Sequence, residues 1–567
     1  MSYKLFPALL LAAGLLATSA EAQDAPAKRK VKVKRKAKTE APAATPAPEA
    51  PASPGRQAPL PVNWDAAYAN SITQEDLQQH LRVLASDEYE GRETGEKGQK
   101  LAAEYIAKHF QMLGLKGPVE GAANPYLQQF TMERSSWTGT GTIKVGGQTF
   151  KWMQDFYGYG RSPFAQETTL QPVFAGYGIE QEGYSDYAAL GDVKGKDLVV
   201  LLGEPLKDGK PLLGKDGQPS KWGMEYRAKA ALASQKGARS VFFVYTGPKD
   251  SYSKTAARLK PYLGKPSIEF ADDAKNTRAA NFFVSPAVGA KLLGTTEAGL
   301  SAYTAAVNKA GKPVASKFKP AKMVLNAPKK VEPFTTENVL GFLPGTDKAD
   351  EIVVVSAHYD HIGIIGGEVH NGADDDGSGT VSVLEMAQAF VQAAKEGHGP
   401  RRSLLFLTVT GEEKGLLGSE YYTDHPVFPL AQTVADLNID MVGRTDKEHE
   451  GKEDYVYVIG SDKLSSELHS IVEKANQQYT QLNLDYRFND PGDPNRFYYR
   501  SDHYNFAKHG IPVAFFFNGV HDDYHGPKDE VDKIEFGKLE KRARLVFYAA
   551  WELANREQRI VVDSNKP

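Results

Sequence analysis

Five residues of metal-binding type follow one another through the C-terminal half of the chain. They are His358 in VVVSAHYDH, Asp375 in GADDDGSG, Glu413 in LTVTGEEKG, Asp440 in LNIDMVGR and His525 in DDYHGPKDE. Two imidazoles and three carboxylates form a nitrogen and oxygen donor set suited to a pair of zinc-like divalent ions. A further carboxylate, Glu412, adjoins Glu413. Adjacent residues at a strand end point in different directions, so one can bind metal while its neighbour faces a water molecule. That division supplies a Lewis acid and a general base together, which is hydrolytic chemistry. Taken singly, each residue has a plainer reading. A lone histidine is more often a satisfied core group, three successive acids form a solvated turn or a calcium loop, and a glutamate pair is a common surface feature. Together, with Asp374, Asp375 and Asp376 repelling one another unless cations neutralise them, they favour the metal reading. Asp360 lies two residues beyond His358 on the same side of an extended segment and is placed to orient that imidazole.

The elements that must position these residues are legible as apolar runs. ENVLGFLP, EIVVVSAH, SLLFLTVT, ADLNID and VAFFF are rich in Val, Ile, Leu and Phe, which predicts strands buried on both faces. Helical spacing over Thr380 to Lys395 and Ile534 to Asn555 alternates with them. The expected fold is therefore α/β, a mixed and largely parallel sheet flanked by helices, with ligands gathered at the carboxyl ends of strands. Nearer the N-terminus, Thr73 and Asp76 resemble a capping box before a helix, and a second helix is predicted over Lys97 to Leu113, ended by Gly114. The glycine-punctuated stretch from 166 to 325 has another texture: DLVVLL and SVFFVY read as strands around a helix over Ala228 to Lys236, with no convergent His or acid cluster. It is expected to be an inserted, smaller, β-rich α/β domain. The division is thus 63–165 and 326–567 for the main body, with 166–325 inserted.

The first 22 residues read as a secretory signal: Lys4, an apolar run from Leu5 to Ala17, and Ala20-Glu21-Ala22 as the cleavage site. Residues 23–62 are an Ala-, Pro- and Lys-rich linker without the apolar groups needed to offset ordering entropy. The formal net charge is −3, and the run from Lys28 to Lys38 carries eight basic residues, which leaves −11 on the remainder. That acidic body offers no footprint for nucleic acid. The chain has no cysteine, so disulfides and thiolate metal sites are excluded. No later segment is apolar enough to span a bilayer. A bacterial secreted or periplasmic location is expected, without stable membrane insertion after cleavage; the oligomeric state stays open.

AHYDH, NGADDDGSG, TGEEKGLLGS, NIDMVGR, RSDHYNF and YHGPKDEVDKI together resemble metallopeptidase family M28, the co-catalytic zinc exopeptidases. HLRVLASDEYEGRETGEKGQKLAAEYIAKHF resembles that family's entry segment, and KAALASQKGARSVFFVY resembles part of a protease-associated domain. The resemblance implies two zinc ions bridged by Asp375, one also held by His358 and Asp440, the other by Glu413 and His525. It implies Glu412 as general base, Asp360 as orienter of His358, Tyr524 as a hydroxyl that steadies an oxyanion, and a cis peptide between Asp375 and Asp376. Asp376 and His503 are expected just outside the ligands, and Arg500 with FNDPGDPNRFYYR along the pocket. The activity implied is that of a secreted aminopeptidase acting on peptides. A carboxypeptidase or dipeptidase with the same site, a non-catalytic binding protein and a single-zinc glutaminyl cyclase are the alternatives.

Overall fold

The computed structural model describes residues 63–564, apart from positions 161, 225, 249, 272–277 and 453. The expected signal and linker lie outside the described residues. Nine strands form the principal sheet: β1 (Leu127–Trp137), β2 (Ser267–Phe270), β3 (Lys329–Leu343), β4 (Lys348–His358), β5 (Arg402–Val409), β6 (Thr433–Ile439), β7 (Tyr455–Ile459), β8 (Asn483–Asp485) and β9 (Val513–Phe517). Their spatial order is β2-β1-β3-β5-β4-β6-β9-β7-β8. The central four, β5, β4, β6 and β9, run parallel, while β1, β2 and β3 pair antiparallel on one flank and β7 meets β9 antiparallel on the other.

Every residue of β5, β6 and β9 is buried. Alternation within β4 shows why. Val353, Val355 and Ala357 enter one core with helices α1 (Gln74–Leu84), α2 (Lys97–Leu113), α3 (Gly379–Lys395) and α6 (Phe536–Asn555), whereas Ile352 and Val354 pack on the other face beneath Tyr422 of α4 (Leu417–Asp424) and Phe506 of α5 (His503–Lys508). A strand covered on both faces has no use for polar alternation, and each such side chain contributes roughly 1.5–3 kcal/mol by leaving water. The Thr73 hydroxyl accepts from the Asp76 N–H and caps α1, and Gly114 ends α2 in the left-handed region at φ 89°.

A second body has its own core. Asp197–Leu201, Ser240–Val244 and Ala280–Val284 are parallel neighbours in a five-stranded sheet. Phe242 and Phe282 stack there at 5.2 Å, on one side, and Phe243 and Phe283 at 5.1 Å on the other. This body also gathers strands at Thr142–Val145, Gln148–Lys151 and Phe156–Tyr159, upstream of position 166. In those four-residue strands Gly, Gln and Lys interrupt the apolar pattern. β2 lies within the inserted stretch yet joins the edge of the principal sheet, where Phe130 and Phe270 both pack on Tyr421 of α4.

Candidate metal centre

The four parallel strands deliver their carboxyl ends to one rim. His358 is the last residue of β4 and pairs in register with Val409 of β5, so the turn carrying Glu412 and Glu413 emerges beside it. Asp440 directly follows β6, and His525 lies in the loop after β9. Met441 and His525 both hold left-handed backbone at φ 54°, a conformation that costs a non-glycine residue about 1 kcal/mol and is often kept at functional sites.

The three acids before α3 are sorted by their hydrogen bonds. Asp374 Oδ1 accepts from Gly443 N–H at 2.6 Å and from the Ser378 hydroxyl at 3.0 Å, and its Oδ2 faces His521 Nε2 at 3.2 Å. Asp376 Oδ1 accepts from Gly379 N–H at 2.9 Å and Met441 N–H at 3.0 Å. Asp375 is different: Oδ1 stands 3.4 Å from His358 Nε2, and Oδ2 stands 3.1 Å from His525 Nε2. The Asp529 carboxylate accepts the N–H groups of Asp374 and Asp375 and fixes the turn from below. The Asp375–Asp376 peptide is cis.

Two groups of donors result, one of His358, Asp376 and Asp440 and one of His361, Asp375 and Glu413, with the donor atoms of each within 4.8 Å of one another. Asp440 Oδ1 is 3.5 Å from His358 Nε2, while its Oδ2 accepts the Ser501 hydroxyl at 2.7 Å. His525 Nε2 lies 3.1 Å from Glu413 Oε2. For Asp360, the oxygen nearest His358 Nδ1 is its own carbonyl, at 3.0 Å; the carboxylate stands 3.7 Å away and takes the Thr94 hydroxyl and the Glu412 N–H instead. Glu412, Asp375, Asp440, Arg500 and Tyr524 line a cleft whose remaining wall is Met441, Phe497, Phe515, Phe517 and Val520. Tyr524 stacks on His525 at 4.0 Å, and its hydroxyl is 3.5 Å from Arg500. His503 is buried against Phe515 at 4.7 Å, and burial pushes its imidazole down to about 3.

The electrostatics are those of a crowded, dry site. Burial by itself would lower the His358 imidazole, but Asp440, Glu412, Asp360 and Asp375 together drive it well above its ordinary value. Burial likewise opposes the charge on His525, yet Glu413 and Asp375 raise it to about 11. Burial raises the Glu412 carboxyl, and Glu413, Asp440 and Asp502 add to the rise against His358. The donor chemistry fits a pair of divalent ions by a direct test. Buried His358 Nε2, both nitrogens of His361, Asp375 Oδ2, Asp376 Oδ2 and Glu413 Oε1 have no aligned hydrogen-bond partner. Unpaired buried donors and acceptors are costly, and a cation between them removes the cost.

Two residues were not singled out from the sequence. His361, in AHYDH, stands three residues past His358 and returns to the site through the bend after β4. Arg92 is a buried guanidinium that donates to four backbone carbonyls: Tyr359 at 2.8 Å, Leu84 at 2.7 Å, Asn371 at 2.7 Å and Gly372 at 2.9 Å. It clamps the His358–His361 bend to the turn that precedes Asp374. The GR in YEGRETG was the available signal, since Gly91 (φ 64°) could carry no Cβ: one would lie 2.2 Å from the His370 carbonyl.

A mixed α/β sheet whose parallel strands end in clustered imidazoles and carboxylates defines an α/β protein with a candidate two-metal site. Residues 338–550 match the model of peptidase family M28, and the chain carries a domain of that family. It is 33% identical over 224 residues to a probable leucine aminopeptidase of Arthroderma otae, covering 38% of this chain and 57% of that protein. It is 29% identical over 233 residues to aminopeptidase YwaD of Bacillus subtilis, covering 40% and 46% respectively. The chain spans about half the length of the curated relatives it matches. Among solved structures, the aminopeptidase from Aneurinibacillus sp. strain AM-1 aligns over 89% of this chain and all of its own, with a TM-score of 0.50 at 19% identity, a likeness of fold. Among the described residues no helix is long and apolar enough to cross a membrane.

Proposed function

We propose that the chain is an exported dinuclear zinc aminopeptidase that removes N-terminal residues from peptides. The observation that carries this reading is the two-sided carboxylate of Asp375, with one oxygen toward His358 and the other toward His525. His358, Asp440 and Asp375 would hold one zinc ion, and Glu413, His525 and Asp375 the other. When bound, such a pair makes a water molecule more acidic and polarises the scissile carbonyl. Glu412, in the cleft but in neither donor group, accepts the proton of the attacking water and returns it to the leaving amine. In this reading Tyr524, which lines the same cleft, donates its hydroxyl to the developing oxyanion. The apolar wall of Met441, Phe497, Phe515, Phe517 and Val520 excludes water and receives an apolar side chain.

The name aminopeptidase in the relatives supports the N-terminal direction. One observation favours the reverse: Arg500 lines the same cleft, and its guanidinium suits a substrate's terminal carboxylate. Parallel assays decide. Leucine p-nitroanilide should be cleaved, a peptide reporting release of its C-terminal residue should not, and EDTA should abolish turnover until zinc is restored. Cleavage that persists in EDTA refutes the metal-dependent reading, and C-terminal release alone refutes the direction.

A further inference from the structure

His361 is fully buried, and neither ring nitrogen has an aligned hydrogen-bond partner. Its Nδ1 lies 2.9 Å from Glu413 Oε1 and 3.8 Å from Asp375 Oδ2. His525 approaches the same two carboxylates, its Nε2 being 3.1 Å from Glu413 Oε2 and 3.1 Å from Asp375 Oδ2. Donors that share one zinc ion at bonds of about 2.0–2.1 Å stand roughly 3.3 Å apart at tetrahedral corners. The two separations that His361 Nδ1 makes, 2.9 Å to Glu413 Oε1 and 3.8 Å to Asp375 Oδ2, bracket that spacing, and His361, Asp375 and Glu413 form a group whose donor atoms all lie within 4.8 Å of one another. The ring is also held in place. The His361 N–H reaches the Arg92 carbonyl, Glu93 bridges to the His361 backbone, and the ring lies so close to Gly372 that a Cβ there would stand 2.5 Å from its Cγ.

We propose that His361 is a sixth metal ligand, so that one ion is held by two imidazoles and two carboxylates while the ion beside His358 has a single imidazole. The proposal rests on the dinuclear reading and deepens it. Unequal donor sets imply unequal sites: the Glu413 side fills first and releases last. A histidine that merely oriented Glu413 would need only one N–H, whereas a ligand needs the imidazole lone pair.

The test is titration of the metal-stripped full chain with zinc chloride against a competing chelator. Wild type should take up two ions in two unequal steps. His361→Ala should weaken the tighter step roughly 100-fold or more, since even residues outside the ligand set are worth 10–100-fold in affinity. The weaker step should move less than about 3-fold, because a ligand is lost from one site only. His361→Asn, which keeps an N–H donor for Glu413, should fail to rescue; a wild-type isotherm in either variant overturns the assignment. X-ray absorption fine structure of two-zinc wild type needs no variant, and decides the matter if the variants do not fold. It should count three imidazoles shared by two ions, and a count of two overturns the proposal. A wild type that takes up no zinc at all fails the dinuclear reading itself.

Discussion

Glu412→Gln separates catalysis from metal binding. The side chain lines the cleft with Asp375, Asp440 and Tyr524, and it belongs to neither donor group. The substitution is isosteric and leaves the Glu412 N–H on Asp360 Oδ1 at 3.2 Å. Both zinc ions should therefore remain, and only the proton acceptor is lost. General-base catalysis contributes roughly 10²–10⁴-fold, so kcat should fall by that factor, about 3–5 kcal/mol in barrier, with KM within about 3-fold. The electrostatics add a second readout. Burial, Glu413, Asp440 and Asp502 raise the Glu412 carboxyl well above its unfolded value in the metal-free chain. A carboxyl raised on folding gives stability below its unfolded pKa and loses it as pH climbs through the folded value. Its ionised form is thus a burden at higher pH. The metal-free amide variant should melt higher than metal-free wild type above that folded value, and the gap should narrow as pH falls below the unfolded one. Steady-state kinetics on leucine p-nitroanilide, zinc content by elemental analysis and thermal melts across pH measure all three. A kcat within about 3-fold of wild type, or a variant that sheds its zinc, would refute the reasoning.

Asp375→Asn should lose metal as well as activity, and a dialysed variant still holding two zinc ions per chain contradicts the bridging role. Gly91→Ala should destabilise the chain by about 2–3 kcal/mol, because it adds left-handed strain to a collision with the His370 carbonyl; an unchanged melting temperature would show that the segment yields. In the second body, burial pulls the Lys229 ammonium down to about 7 against Asp186 and Glu204, while it donates to the Leu201 and Gly203 carbonyls. Its folded pKa lies below the unfolded one, so it favours the fold above about pH 10.5 and loses that contribution as pH falls to 7. Urea unfolding at pH 7.5 and 9.5 should show Lys229→Met flattening the rise of stability with pH by up to about 1 kcal/mol per unit; parallel slopes would refute it.

The centre of the sheet was legible because strands covered on both faces need unbroken apolar runs, and β4, β5, β6 and β9 have them. Four of the five ligand candidates were visible for the same reason, since each stands at or beyond the close of such a run; Asp375 showed instead through the acidic turn that leads into α3. The edge strand β2 was not. SIEF is short and half-buried, and its partner lies more than a hundred residues away, so nothing local announces the pairing. His361 escaped because extended spacing from His358 would turn it away, whereas the strand ends at His358 and the spacing does not carry on past it. Arg92 offered only the adjoining Gly91 as a hint, because its partners are main-chain carbonyls, which carry no residue code.

That guanidinium has a consequence for how the protein comes into being. Arg92 leaves the ribosome 267 residues ahead of Tyr359, one of the four carbonyl groups it grips, and β1 must likewise wait for β3. The half that carries the candidate metal centre therefore cannot mature during its own synthesis alone; it docks onto a partner already made. Expressed from residue 338 onward, the fragment would keep every ligand yet leave three of those carbonyls, at 359, 371 and 372, without their donor. Residues 63–137 carry the missing donor, Arg92, but β1 within them pairs along 329–337, which such a fragment lacks, so the cut would separate the two halves of one sheet.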